Sequence, residues 1–90
     1  MYEWDENKNT INLNKHGIDF NVAIEVFSDP DAVVQFNREI SGEVRDQIIG
    51  KIEGEIVILF VVFTTRQHKI RLISARKANK QERAIYERKN

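Results

Sequence analysis

The sequence predicts an α+β fold: a small antiparallel β-sheet with two N-terminal helices and one C-terminal helix, in the order β-α-α-β-β-β-β-α. Three observations predict it. Apolar residues at helical spacing stop at Asp29-Pro30-Asp31. Residues 32–75 then read as a run of short strands broken by turn residues. Asn79 opens one last helical segment. Helices gathered at the two ends of an antiparallel meander are the α+β pattern.

Each element has its own signals. Tyr2–Trp4 is a short apolar edge that fits a first strand. Asp5 is an N-cap and Gly17 a stop at C′, so Glu6–His16 is a helix. Ile11 and Leu13 are its only large apolar residues. Asp19 caps a second helix, in which Phe20, Ala23, Ile24 and Phe27 share one side. Ala32–Phe36 is a short apolar strand. In the next strand Val44, Ile48 and Ile52 face one way and Arg45, Gln47 and Lys51 the other, with Ile49 out of pattern. Glu53-Gly54 is a turn that pairs this strand antiparallel with Ile56–Thr64. Ile56–Thr64 is apolar on both faces, as a central strand is. Ile70–Ala75 is the last strand. Asn79 with Glu82 makes a capping-box pattern, and Ala84, Ile85 and Tyr86 give the last helix its inner side.

Composition bounds the function classes. Ninety residues form one domain, 1–90, with one core. At 41% hydrophobic and 31% charged, the chain is ordinary globular material. It has no cysteine, which excludes disulfides and Cys-based zinc sites. MYEWDENKN is no signal peptide, and the apolar run Ile56–Phe63 is too short to cross a bilayer. A soluble, cytoplasmic protein with no membrane partner is expected.

A formal net charge of zero conceals an asymmetry. Residues 1–65 carry five Lys/Arg against twelve Asp/Glu, a balance of −7. Residues 66–90 carry nine Lys/Arg against Glu82 and Glu87, a balance of +7. Such an end points to a polyanion or to a charged protein partner. Mutual neutralisation of the two parts accounts for some of it, but not for bases clustered at strand ends and on one helix.

The opening YEWDENKNTINLNKHGIDFNVAIEVF resembles the signature W-D-x-x-K-x-x-x-N-x-x-K-H-G-[VI]-x-F-x-x-A-x-x-V-F. Trp4, Asp5, Lys8, Asn12, Lys15, His16, Gly17, Ile18, Phe20, Ala23, Val26 and Phe27 meet it. GEVR at Gly42–Arg45, Thr65-Arg66, and RLISARKA followed by Glu82 and Tyr86 continue the likeness. Asp46 departs from it, where a larger side chain would follow the Arg. The pattern resembles the BrnT family, the toxin half of type II toxin–antitoxin pairs. That resemblance implies a RelE-like fold, RNA as substrate and an antitoxin partner of the ribbon-helix-helix type. Operator DNA would be bound only through that antitoxin.

Metal-free RNA cleavage needs a base for the ribose 2′-OH, an acid for the leaving oxygen and cations for the phosphate. The catalytic candidates are Arg76, Arg66, His16 and Lys8. Arg76 is the phosphate cation, since it adjoins Lys77 and the start of the last helix. Its structural alternative is an ion pair with Glu25 or Glu43. Arg66 flanks the Gln67–Lys69 loop, which puts it about 20 Å from Arg76 at 3.3 Å per residue. It therefore folds back, or it fixes RNA or the partner. Lys8, Asn12 and His16 recur at i, i+4, i+8 with Lys15 beside them, a polar stripe to line an RNA groove. The alternative makes His16 a helix-terminal cation and leaves the others solvated.

RNA-binding candidates are Lys15, Asn12, Lys69, Arg71, Lys77, Lys80, Arg83 and Tyr86. Tyr86 reaches a phosphate or lays its ring on the sheet. Trp4 and Phe20 read as core before base-stacking platforms. His68 reads as an exposed loop residue, and Glu43 with Arg45 as a same-face bridge. Two lone histidines make no metal site, and no cofactor is expected. The competing reading is a non-catalytic module, or a degenerate toxin, that binds nucleic acid or a partner without cutting.

Overall fold

The computed structural model describes residues 1–40, 42–52, 54 and 56–89, apart from the side chains of 36–38, 40 and 89. Five strands form one sheet: β1 (Tyr2–Glu3), β2 (Val33–Ile40), β3 (Glu43–Lys51), β4 (Ile58–Arg66) and β5 (Lys69–Lys77). Their spatial order is β1-β5-β4-β3-β2. β2 to β5 are the expected antiparallel meander, with β4 central. The sheet as a whole is mixed rather than antiparallel, because β1 pairs parallel with β5 at Tyr2↔Ile70 and Glu3↔Arg71. Of the expected Glu53-Gly54 turn, Glu53 lies outside the described residues. Gly54 has a φ of 79°, where a residue without Cβ is unstrained.

Helix α1 (Glu6–His16) has the expected ends. The Asp5 carboxylate accepts from the N–H groups of Asn7 and Lys8, and Gly17 is left-handed at φ 73°. The second helix departs from expectation. Only Phe20–Ala23 is α-helical (α2), and Ile24–Ser28 continues as a 3₁₀ turn. Its fully buried residues are Phe20, Ala23 and Val26, a spacing of three that fits the tighter helix. Close approach explains the tightening. A Cβ on Gly50 of β3 would meet Val26 Cβ at 2.8 Å, so the 3₁₀ turn lies directly on the strand backbone.

The main core fills the face under α2 and the 3₁₀ turn: Phe20 and Val26 with Ile48, Leu59, Val61, Phe63, Leu72 and Ala75. Trp4 sits edge-on to Phe20 with centroids 5.9 Å apart, so both are packing residues. Phe27 joins Tyr2 to Phe63, tilted against the first ring and edge-on to the second.

Helix α1 is attached differently, since its buried residues are Asn9 and Asn12. The Asn12 amide donates to the carbonyls of Ile18 and Ala75 and accepts from the Ala75 N–H. β1 is too short to pair β5 that far along, so one side chain takes over as the neighbouring strand. Asn9 accepts from the Phe20 N–H and donates to Asp19. Polar grips on backbone thus do what an apolar stripe does elsewhere.

Helix α3 (Lys80–Lys89) crosses the other face towards β3 and β2. The capping box is reciprocal: Glu82 accepts from the Asn79 N–H, and Asn79 from the Glu82 N–H. Tyr86 is buried, and its hydroxyl donates to Asp29 at 2.7 Å. Asp29 also accepts from the Lys51 N–H. Ile49, out of pattern in the sequence, is fully buried because it faces this helix side of the sheet.

Candidate nucleic-acid interface

The register sorts the second face of the sheet. Val62 pairs with Ser74 and Phe63 with Leu72, so Ile73 is an extra residue in β5. This bulge turns Ile73 and Ser74 towards α1. A cleft of about 180 Å³ opens there, lined by Lys8, Ile11, Asn12, Lys15, His16, Ile73 and Ser74. Three expected site residues, Lys8, Lys15 and His16, therefore meet the Ile73–Ser74 bulge. Asn12 meets it from below, buried and with its amide committed to backbone. It holds the cleft together rather than presenting a free group to it.

Arg76 follows Ser74 by two residues on the same face. Its partner is Glu82, not Glu25 or Glu43. Nη1 and Nη2 donate to the two carboxylate oxygens at 2.8 Å each, and Nη1 also reaches the Lys77 carbonyl at 3.2 Å. The guanidinium lies over the Phe60 ring, 4.3 Å from its centroid. Platform, fork and carbonyl fix its plane. Nε takes no part in these bonds and the side chain is 35% exposed, so a guanidinium of fixed plane keeps donor capacity for a phosphate. The ion pair raises the Arg76 pKa further. Burial pushes the Glu82 carboxyl up, but the Arg76 fork and the Asn79 N–H outweigh it and hold it below its usual range.

The other expected residues lie elsewhere. Arg66 and Lys69 face each other across the far end of the β4–β5 hairpin. Arg66 is bonded to Glu43 at 2.9 Å. It does not fold back towards Arg76. Arg71 stands opposite Thr64 and pairs with Glu3 at 3.5 Å. Lys77 and Lys80 are exposed beside Arg76, at the end of β5 and the start of α3. Arg83 donates to the Ala78 carbonyl at 2.9 Å. Tyr86 is turned inward, its pKa pushed up to about 12 by burial and by the acceptor Asp29. His68 is exposed at φ 65° in a two-residue turn.

Sequence reasoning missed Ser74, Phe60 and the Arg76–Glu82 fork. Strand alternation puts Phe60 and Arg76 on one face once their register is known. The bulge that turns Ser74 has no marker in the sequence. Among the described residues no helix is long and apolar enough to cross a membrane.

A search of curated proteins returns no match. A family model described as the ribonuclease toxin BrnT of type II toxin–antitoxin systems matches residues 4–82. That span takes in α1 with its cleft, strands β2 to β5, Arg76 and Glu82. The chain belongs to the BrnT family of ribonuclease toxins.

Proposed function

We propose that this chain is a metal-independent endoribonuclease whose site is the α1–β5 cleft together with Arg76. The observation that carries the reading is a part-exposed guanidinium locked by Phe60 and Glu82, near a cleft that holds His16, Lys8 and Lys15. Arg76 clamps the scissile phosphate and meets the charge that develops on it. His16 takes the proton of the 2′-OH, whose oxygen bonds to phosphorus. The bond from phosphorus to the 5′ oxygen breaks, and Lys8 or Lys15 supplies that oxygen with a proton. The products are a cyclic 2′,3′-phosphate and a 5′-hydroxyl.

On this reading the chain is a cytoplasmic toxin that arrests growth until its antitoxin binds. The antitoxin is of the ribbon-helix-helix type and carries the complex to operator DNA. The meander with helices packed on it supports a RelE-like ancestry for the fold. Purified wild type and Arg76→Ala, matched by circular dichroism, are incubated with a defined single-stranded RNA in EDTA. Cutting by wild type alone supports the proposal. Binding of RNA by both without cutting by either overturns it in favour of a non-catalytic module.

A further inference from the structure

We infer that the end of the second face around Glu43 is a separate phosphate subsite, built from Arg45 and Arg66, that holds the same RNA strand several nucleotides from Arg76. The inference rests on reading this face as an RNA surface, but not on cleavage.

Two guanidinium groups share one carboxylate there. Arg66 Nη2 takes Glu43 Oε2 at 2.9 Å, a charge-assisted bond. Arg45 Nε is left 3.6 Å from Glu43 Oε1, too far for a hydrogen bond. That Nε is buried and has no hydrogen-bond partner. A buried N–H without an acceptor is unfavourable, and a turn of the part-exposed side chain towards an incoming anion would supply one. The side chains remain accessible to such a ligand: Arg66 is 55% exposed and Arg45 35%.

The distance sets the class of ligand. Arg66 lies six residues along β4 from Phe60, the platform under Arg76. At 3.3 Å per residue that is about 20 Å. One phosphate cannot touch both arginines, and a mononucleotide or dinucleotide cannot either. A longer single strand laid along β4 and β5 can. It passes Val62, Ser74 and Thr64, which are small or apolar, and then Arg71, whose charge is paired with Glu3 at the sheet edge.

The test is binding of an uncleavable 2′-O-methyl RNA to the full chain, with a dinucleotide and a longer oligonucleotide as probes. Arg45→Ala and Arg66→Ala are each expected to weaken the longer probe roughly ten-fold and leave the dinucleotide unchanged. Each also lowers the salt dependence of binding by about 0.7 in log–log slope. Glu43→Gln removes the competing charge and is expected to tighten the longer probe, whereas a purely structural Glu43 would give loss or no change. The inference is overturned if both probes weaken alike, if neither responds, or if Glu43→Gln binds no tighter. Absence of cleavage by wild type sinks the catalytic reading alone and leaves this result standing.

Discussion

Arg76 and Arg66 occupy one face of one hairpin, yet they are held in opposite ways. Arg76 has an aromatic platform, a two-pronged carboxylate and a carbonyl around it, and Glu82 is only 12% exposed on its side chain. Arg66 has one bond to a carboxylate it shares with Arg45. A fixed cation suits a transition state, because no reorganisation is needed when charge develops. A loosely held one suits a strand that must arrive and leave. The largest test of this contrast is on turnover. Arg76→Ala is expected to lower kcat by about 10²–10³-fold, the usual cost of losing one preorganised donor. Arg66→Ala should leave kcat unchanged and raise KM for long RNA. Equal losses of kcat would erase the distinction.

The next effect is on stability and falls on the cleft rather than on either arginine. Asn12→Ala leaves the N–H and C=O of Ala75 unpaired where β1 cannot reach. A loss of about 2–4 kcal/mol is expected in urea unfolding. Lys8→Ala, on the same helix but exposed, should shift the midpoint little. Glu82→Gln comes third. It keeps the size of the side chain but removes the charge and one of the two acceptors, so one prong of the fork is lost. With Arg76 a third exposed, the stability change should be about 1 kcal/mol. The more telling readout is a several-fold fall in kcat with KM little changed, as expected of a residue that positions the cation.

Much of this contrast was invisible in the sequence, and the reasons differ by residue. Caps are local chemistry, so Asp5, Gly17, Asn79 and Glu82 were legible and set both ends of α1 and the start of α3. The second helix was misjudged because spacings of 3.6 and 3.0 part only slowly. Phe20, Ala23 and Val26 are a set of threes hidden inside an apparent amphipathic pattern. β2 ran longer than Ala32–Phe36 because pairing with β3 carries polar residues as far as Ile40. The parallel seat of β1 depends on a contact 68 residues away and has no local sign. Asn12 reads as part of a polar stripe lining an RNA groove, or else as solvated, since nothing in a sequence tells an exposed amide from one gripping a strand edge. Glu82 was visible as a cap, and its second bond to Arg76 followed only from the turn of α3 over the sheet.

Acid and alkali probe the α3 anchor that carries one half of the comparison. Burial pushes the Asp29 carboxyl up, but hydrogen bonds from the Tyr86 hydroxyl and the Lys51 and Asp31 N–H groups hold it below its usual value. Glu82 is lowered as well. Their contributions are present above the unfolded values of 3.8 and 4.5, and they are lost as pH falls through the lower native ones. Tyr86 has the opposite sign. Its contribution is full below 10.0 and is lost as pH rises towards about 12. Tyr86→Phe should flatten that alkaline limb in pH-dependent melting and weaken the Asp29 part of the acid limb, while the Glu82 part stays in place.

The smallest effect is at the hairpin tip beside Arg66. Gln67 and His68 carry φ values of 52° and 65°, the left-handed pair that a two-residue turn between twisted strands requires. Neither is the Asn or Gly that such turns favour, and each carries the cost of a side chain at positive φ. His68→Gly relieves it, offset in part by the extra freedom glycine brings to the unfolded chain. A gain of about 0.5–1 kcal/mol in urea unfolding is expected. Cleavage should be unchanged, since the tip lies about 20 Å from Arg76 along the strand. If His68→Gly instead lowered kcat, the two ends of the face would be coupled, and Arg66 would belong to the catalytic centre rather than to a distant hold on the strand.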